Sequence, residues 1–260
     1  QSALFSKDLY AVTTALPTRA GFFGRKELLN EVITHLRGGA AHIGLFGLRK
    51  MGKTSVLFQI KNALRLSPRT LISHIDLQTI DAIDPTVERF LWAVGEGFLD
   101  HQVRLANRHE FRLIGQFRSP MDIPKEMNVW DAFDHDIREI LRSTSLNIVL
   151  LIDEIELMGP TESGDRWKGT FVRTWRLLRG LSQQYPNRLA YFVAGTNPRL
   201  FECNRLGSEE NPAYNFLQVR YLERLSHSDS GGLLVHLGER MGLSWEASAV
   251  TALYDATGGH

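Results

Sequence analysis

A glycine-rich loop between a short apolar segment and an amphipathic segment is the feature that most constrains this sequence. Residues 47–54, GLRKMGKT, fit the pattern G-x-x-x-x-G-K-S/T at every fixed position. A tight turn of backbone N–H groups can wrap a phosphate only where no Cβ blocks it, and Gly47 and Gly52 carry none. The sequence therefore predicts a phosphate-binding loop. The alternative is a glycine turn that fits the pattern by chance.

The side chains at the end of this loop have the chemistry that a nucleoside triphosphate and its metal require. Lys53 is predicted to lie across the β- and γ-phosphates, and Thr54 to offer its hydroxyl to Mg²⁺. The apolar spacing of residues 55–64 predicts a helix whose positive N-terminal end faces the anion. The residues predicted to contact the nucleotide here are Gly47, Leu48, Arg49, Lys50, Met51, Gly52, Lys53, Thr54 and Ser55.

A second candidate site follows the buried strand predicted at residues 147–152. The strand ends in Asp153 and Glu154, and α/β sheets place ligands at the carboxyl ends of their strands. Asp153 is predicted to bind Mg²⁺, directly or through water, and Glu154 to polarise the water that attacks the γ-phosphate. Taken alone, an apolar run followed by Asp-Glu is more often a plain strand end, and the upstream loop is what favours a site. Glu156 is interpreted as a solvated neighbour.

Two shorter segments complete the candidate site. The turn Phe23, Gly24 and Arg25 precedes a predicted helix just upstream of the loop, where contact with adenine or ribose and a purely structural turn are equally favoured. Thr196 and Asn197 follow a later buried strand. A small polar residue there can hydrogen-bond the γ-phosphate or the attacking water, the alternative being an ordinary strand-to-loop turn.

Three arginines, Arg173, Arg176 and Arg179, lie near one side of a predicted helix. An exposed charged face is the preferred interpretation. The alternative is an arginine finger that is supplied to a neighbouring subunit, since such a residue must protrude from a rigid element.

The rest of the chain alternates strand and helix patterns, which is typical of an α/β fold with a parallel sheet. We expect a lead-in segment at 1–20, a nucleotide-binding core at 21–225 and the start of a helical lid at 226–260. Further predicted elements are helices at 28–36, 83–105, 130–142, 171–181, 229–241 and 244–257, strands at 71–77, 189–194 and 216–221, an irregular segment at 109–128 and a surface loop at 203–214.

Composition limits the function without naming it. Of the 260 residues, 43% are hydrophobic and 23% charged, as in ordinary globular proteins. The net charge of +1 makes no case for nucleic acid or an anionic membrane, and the apolar run at 148–152 is too short to cross a bilayer. A single cysteine, Cys203, cannot form an internal disulfide, which favours a cytoplasmic location. Because the chain begins at Gln1, we expect it to be part of a longer polypeptide.

These segments together resemble the STAND branch of the AAA+-like P-loop ATPases, including its archaeal-ATPase and NACHT-like groups. The segments that carry the resemblance are Phe23-Gly24-Arg25 with Leu28, the run GLRKMGKTS at 47–55, His74-Ile75-Asp76-Leu77, Asp153-Glu154, Gly195-Thr196 and Thr257-Gly258-Gly259-His260.

The resemblance implies a three-layer αβα sandwich with a parallel sheet in the order 5-1-4-3-2, followed by a small helical lid after Tyr221. In the family a glycine-x-proline element of the lid contacts the nucleotide, and this chain stops at His260 before any such proline. The arginine sensor of some NACHT-like members has no unambiguous counterpart in this sequence, and Arg199 is the candidate for it.

The resulting hypothesis is a slow ATPase that acts as a molecular switch. Bound ATP and Mg²⁺ would control homo-oligomerisation or an attached effector or sensor domain, with bacterial defence or signalling as typical settings of the family. Two alternatives stay open. One is an AAA+ ATPase of the origin-recognition or transposition type that loads onto DNA, and the other is a scaffold that binds ATP without hydrolysing it.

Overall fold

A parallel sheet organises the computed structural model, which describes residues 8–11, 14–19, 21–39, 41–83, 85–104, 127–159, 167 and 170–260. Within these residues the sheet has the order β2-β3-β4-β1-β5. The predicted order 5-1-4-3-2 is confirmed, because it is the same order read from the other edge. The strands are β1 (His42–Phe46), β2 (Thr70–Asp76), β3 (Asn147–Asp153), β4 (Leu189–Gly195) and β5 (Gln218–Tyr221).

Helices connect the strands and carry apolar residues at three- and four-residue spacing, so that one side of each can be buried. Side-chain caps begin several of them: for example, Asn128 accepts the N–H of Trp130 at α5, and Ser226 accepts that of Asp229 at α8. The helices of the described residues are α1 (Lys26–Arg37), α2 (Lys53–Arg65), α3 (Leu77–Ile83), α4 (Val87–Arg104), α5 (Val129–Ser143), α6 (Thr170–Gln184), α7 (Arg199–Glu202), α8 (His227–Arg240) and α9 (Ala247–Thr257).

The helices cover both faces of the sheet, which confirms the predicted αβα sandwich. β3 and β4 are apolar and buried along almost their whole length, as strands with helices on both sides must be. On one face α1 and α2 enclose a core that includes Leu36, Leu57 and Phe192. On the other face α3 to α6 enclose a second core that includes Phe98 and Trp175.

The helix predicted at 83–105 is wrong at its start, because its first residue belongs to a separate helix, α3, which was not predicted. Ile83 ends α3 and its side chain is 64% exposed, whereas α4 begins at Val87. Pro85 has no backbone N–H to donate, which prevents one continuous helix. At the start of α3 the Asp76 carboxylate accepts the N–H of Gln78 at 2.9 Å, in the manner of a helix cap.

Two other predicted segments need comment. Of the irregular segment at 109–128, only 127 and 128 belong to the described residues. The segment at 203–214 is not wholly a surface loop, because Asn211 and Ala213 are buried. The Asn211 amide donates to the carbonyls of Leu200 and Cys203, which holds the segment against α7.

The N-terminal segment contacts two parts of the molecule. Residues 14–19 lie along α2, where the Ser55 hydroxyl accepts the N–H of Leu16 at 3.0 Å and the Gln59 amide donates to the Thr18 carbonyl at 2.9 Å. Tyr10 lies on the C-terminal helices: its hydroxyl donates to the Leu234 carbonyl of α8 and accepts the indole N–H of Trp245. The segment thus bridges α2 and the helices after β5.

None of the helices in the described ranges combines the length and the apolar character that a membrane span requires.

Candidate nucleotide-binding site

The predicted phosphate-binding loop lies between the carboxyl end of β1 and the first turn of α2. Gly52 caps α2 with φ of 88°, and Lys50 has φ of 65°. Both are left-handed conformations, which glycine adopts without strain. A Cβ on residue 52 would also come within 2.9 Å of the Arg25 guanidinium. The loop therefore has the tight turn that directs the N–H groups of a helix N-terminus toward one point.

Lys53 lies inside this loop rather than in solvent. Its side chain is 6% exposed, and Nζ donates to the carbonyl oxygens of Gly47 at 2.9 Å and Leu48 at 3.0 Å. These bonds hold the ammonium group against the backbone that would surround a phosphate. A phosphate oxygen could replace either carbonyl as an acceptor, because both bonds are made by a rotatable –NH₃⁺ group.

The other loop residues differ in exposure. Leu48 is 67% exposed, Arg49 and Lys50 are exposed, and Met51 is buried. The Met51 carbonyl accepts the Arg25 guanidinium at 2.6 Å. Their predicted role depends on backbone N–H groups, so these side-chain positions are compatible with it.

The carboxylate of Asp153 ends β3 beside the loop and is 3% exposed. It hydrogen-bonds the Thr54 hydroxyl and accepts the N–H of Glu154 at 3.0 Å. Burial raises the pKa of Asp153, and the bond from Thr54 opposes this rise. A hydroxyl and a buried carboxylate in contact are hard oxygen donors that fit Mg²⁺, which usually takes one or two protein carboxylates together with phosphate oxygens. The described residues contain no cluster of three or more acidic, histidine or cysteine side chains that would hold a metal without such help.

The backbone turns sharply at Glu154, which has φ of 55° and ψ of 45°. This conformation is uncommon for a residue with a Cβ. It ends β3 and begins a short 3-10 helix at Ile155–Met158. Burial, followed by the charge of Glu156, raises the pKa of Glu154 to about 7. A carboxylate with a raised pKa accepts a proton more readily than an ordinary glutamate, so the geometry suits a general base.

The raised pKa of Glu154 leads to a prediction for the protein without metal or nucleotide. Unfolded, this carboxyl ionises near its ordinary pKa of 4.5, whereas folded it keeps its proton up to about 7. Stability is therefore lost as the pH rises from 4.5 to 7. Because glutamine does not ionise, Glu154→Gln is expected to melt at a higher temperature than the parent at pH 8, and at a similar temperature at pH 4.5. Thermal melts in EDTA measure this, and equal melting temperatures at pH 8 would contradict it.

Glu156 is not a solvated neighbour, so that interpretation is wrong. Its Oε1 accepts both the backbone N–H of Thr196 at 3.1 Å and the Thr196 hydroxyl at 2.6 Å. Its Oε2 is buried. Glu156 thereby joins the end of β3 to the end of β4. The sequence shows an acidic residue two positions after Glu154, but it does not show that the backbone turns at Glu154 and brings Glu156 to Thr196.

Thr196 and Asn197 follow β4 at the same edge of the sheet, and their side chains go to different partners. Thr196 bonds Glu156, as described above. Asn197 is exposed, and its Oδ1 accepts the N–H of Arg199 at 2.9 Å, which caps the turn into α7. The structure thus places Thr196 next to the acidic residues and directs the Asn197 side chain to its own turn.

The turn of Phe23, Gly24 and Arg25 lies between the phosphate-binding loop and α8. The Phe23 ring is 5.3 Å from the His236 ring, and a Cβ on Gly24 would clash with the Asp229 carboxylate. Arg25 donates to the Met51 carbonyl of the loop, and burial lowers its pKa while Asp229 opposes this. The turn therefore contacts both the phosphate-binding loop and α8.

Ser55 and three of the predicted arginines already contact other residues of the protein. The Ser55 hydroxyl binds Leu16, so only its backbone N–H is left for a phosphate. Arg173 lies 4.8 Å over the ring of Trp130, and Arg179 donates to the Pro212 carbonyl. Arg176 is exposed and 4.0 Å from the Glu209 carboxylate, and Arg199 is exposed. The assignment of an arginine finger stays a prediction.

Comparison with known proteins identifies the fold. No protein-family model and no curated protein sequence matches this chain. The ADP form of the Aeropyrum pernix ORC2 protein is similar over 82% of this chain and 51% of its own, with a TM-score of 0.54 and 13% identity. The ADPNP-ADP complexes of the same protein are similar over 89% and 55%, with a TM-score of 0.51 and 13% identity. Domain III of the Thermotoga maritima replication initiation protein DnaA is similar over 90% and 78%, with a TM-score of 0.48 and 13% identity.

The chain spans about half the length of the ORC2 protein. At such low identity these similarities concern the fold. Together with the strand order, they show that this chain has the three-layer αβα fold of a P-loop nucleotide-binding domain.

Proposed function

We propose that the chain binds ATP with Mg²⁺ and hydrolyses it. The observation that carries this proposal is the contact of Thr54, on the phosphate-binding loop, with the buried Asp153 carboxylate at the end of β3. A glycine turn that fitted the pattern by chance would not be expected to lie at the same edge of a sheet as a buried lysine, a threonine hydroxyl and two acidic residues. The two ORC2 structures that share the fold hold ADP, or ADPNP and ADP, which agrees with the proposal.

Each residue has a defined part in the proposed reaction. The loop N–H groups and Lys53 bind the β- and γ-phosphates, and Thr54 and Asp153 hold Mg²⁺, which neutralises charge on the phosphate oxygens. Glu154 accepts a proton from the attacking water. Phe23, Gly24 and Arg25 contact the adenine or ribose. The site is tested by calorimetry with Mg-ATP and by phosphate release under single-turnover conditions; no binding heat and no phosphate release would contradict it.

The helices after β5 are proposed to sense the nucleotide. The linker that leads to them contacts the end of β1, just before the loop, and the turn that contains Arg25. The Leu222 N–H donates to the Phe46 carbonyl at 2.7 Å, and the Glu223 carbonyl accepts the Arg25 guanidinium. The chain end returns to this linker, since the Leu225 N–H donates to the Gly259 carbonyl. A bound γ-phosphate can move these helices only if it favours one of their positions over another.

Arg25 provides a test of this coupling. Arg25→Asn removes the charged donor to the Met51 carbonyl but keeps a side chain that tolerates the left-handed backbone at φ of 59°. We expect ATP affinity to fall about tenfold, because a hydrogen bond from a charged group contributes roughly 1.5–3 kcal/mol. Lys26→Asn, at the exposed neighbouring residue, is the matched control and should bind normally. Calorimetry measures both, and an unchanged Kd for Arg25→Asn would contradict the prediction.

Among roles for the ATPase, the similarity to the ORC2 structures favours a module that loads onto DNA over a STAND-type switch, which none of these similarities supports. The net charge of +1 gives no independent evidence for DNA binding. Fluorescence anisotropy with a labelled duplex would decide. Loading predicts an affinity that depends on ATP and falls steeply between about 50 and 200 mM salt. If no binding is seen at the lower salt concentration, the STAND-type switch becomes the favoured role.

Oligomerisation in the ATP-bound state belongs to both roles and is measured by light scattering with and without nucleotide. An effector or sensor partner, on the same chain or on another, remains a hypothesis from the sequence resemblance.

A further inference from the structure

The Thr196 hydroxyl at the end of β4 has its proton already committed. A hydroxyl has one hydrogen to donate and two lone pairs with which to accept. Here the hydrogen goes to Oε1 of Glu156, at an oxygen-to-oxygen distance of 2.6 Å. Oε1 also accepts the backbone N–H of Thr196 at 3.1 Å, so this oxygen acts as an acceptor in both bonds. What remains to Thr196 is the ability to accept.

The position of Glu156 is built into the backbone around it. The left-handed conformation of Glu154 turns the chain so that Glu156 faces the end of β4. There its Oε2 is buried against Gly195, where a Cβ would approach to 2.4 Å. Any other residue at 195 would displace the carboxylate. Glu156 is thus held by two backbone features and by two hydrogen bonds, unlike a solvated side chain.

We propose that Glu156 is a positioning residue for the proposed ATP hydrolysis, and that it makes Thr196 a hydrogen-bond acceptor for the attacking water instead of a donor to the γ-phosphate. The inference rests on the proposed function. Sequence reasoning left both partners of Thr196 open. The hydrogen bond to Glu156 decides between them, because an oxygen that presents only lone pairs repels a phosphate oxygen and attracts a water hydrogen.

The arrangement accounts for both hydrogens of the water. One hydrogen bonds Thr196 and the other bonds the Glu154 carboxylate, which leaves a lone pair of the water oxygen to face the phosphorus. As that oxygen forms its bond to the γ-phosphorus, the bond from phosphorus to the bridging oxygen breaks and its electron pair leaves on ADP. The proton goes to Glu154, and Thr196 keeps its own proton throughout.

The test separates binding from hydrolysis in four variants. Glu156→Met removes both acceptors with a flexible side chain of similar length, whereas Glu156→Gln keeps an oxygen at Oε1. Thr196→Val removes the hydroxyl, and Thr196→Ser keeps it. Because Thr196 does not contact the phosphate in the proposal, Glu156→Met and Thr196→Val should bind Mg-ATP with the parent Kd. Their single-turnover rates should fall about 10- to 100-fold, as expected when a reacting group loses its orientation.

The conservative variants and the double variant complete the cycle. Glu156→Gln and Thr196→Ser should retain most of the parent rate. Glu156→Met should add little in a Thr196→Val background, because the two residues act as one unit. Thermal melts identify a variant that fails to fold. If Glu156→Met fails to fold, Thr196→Val and Thr196→Ser still test whether the hydroxyl contributes to the rate of hydrolysis or to ATP binding.

Two outcomes would overturn the inference: a parent rate in Glu156→Met and Thr196→Val, or a loss of ATP affinity in them as large as the loss of rate. Failure of the parent protein to bind or hydrolyse Mg-ATP is a different result, and it would overturn the proposed function itself.

Discussion

Lys53→Ala is expected to weaken Mg-ATP binding at least 100-fold, roughly what the loss of two hydrogen bonds from a charged donor would cause. The ammonium of Lys53 lies inside the loop on the carbonyls of Gly47 and Leu48. Within the part of the chain that the structure describes, no second lysine donates a hydrogen bond to these two carbonyls. Without it, the phosphate charge would be met only by backbone N–H groups and by the metal. Calorimetry with Mg-ATP measures the change.

The fold should survive this substitution. Lys53 is the first residue of α2, and alanine has the highest helix propensity. The two carbonyls that lose their donor lie beside Leu48, which is exposed, so water can replace the ammonium. A thermal melt near that of the parent is therefore expected.

Lys50→Asn is the matched control for Lys53→Ala. It removes a positive charge from the same loop, at an exposed position, and asparagine tolerates the left-handed backbone that Lys50 adopts. Normal binding is expected. If Lys53→Ala bound Mg-ATP as well as the parent does, the assignment of the phosphate-binding loop would be wrong; equal losses in both variants would point to net charge rather than to the position of one ammonium.

Apolar runs predicted the strands β3 and β4, which are buried along almost their whole length, whereas the order of the strands in the sheet was predicted from the family resemblance. The apolar run at 148–152, followed by two acidic residues and preceded by a phosphate-binding loop, predicted a buried strand, and β3 includes this run. Helix boundaries were harder. The start of α3 depends on the Asp76 side chain, which accepts the N–H of Gln78. Leu77, the first residue of α3, continues the alternation of apolar residues in β2, so the change of period appears only at Ile80, inside the helix.

The candidate site was predictable where a side chain's role follows from its place in a motif, as for Lys53 and Asp153. It was not predictable where the role depends on a backbone angle. The left-handed turn at Glu154 is unusual for glutamate, and it precedes the residue, Glu156, that bonds Thr196. The hydrogen bond that the Leu16 N–H donates to the Ser55 hydroxyl joins residues far apart in sequence, and no sequence pattern predicts it.

Glu154→Gln is expected to retain Mg-ATP binding and to lower the rate of hydrolysis by about 10²- to 10⁴-fold, the usual contribution of a general base. Glutamine has nearly the same shape and keeps the bonds that a neutral carboxyl can make, but it cannot accept the water's proton. Binding should be unimpaired, since the substitution removes a negative charge near Glu156 and Asp153 that would repel the phosphates. The variant is thus expected to accumulate the ATP-bound state, with the helices after β5 held in their ATP-bound position.

Two measurements and a control complete this prediction. Single-turnover phosphate release gives the rate, and hydrogen exchange in α8 and α9 reports whether their protection with ATP persists in the variant while it decays in the parent. Glu202→Gln changes an exposed glutamate in α7 whose carboxylate accepts the Tyr221 hydroxyl, and it should behave as the parent does. A parent rate in Glu154→Gln would remove Glu154 as the base. Asp76, which ends β2 beside Asp153 at the same edge of the sheet, would then be the next acidic residue to test as the acceptor of the water's proton. Such a result would contradict the general-base role of Glu154 and leave the assignment of the phosphate-binding loop standing.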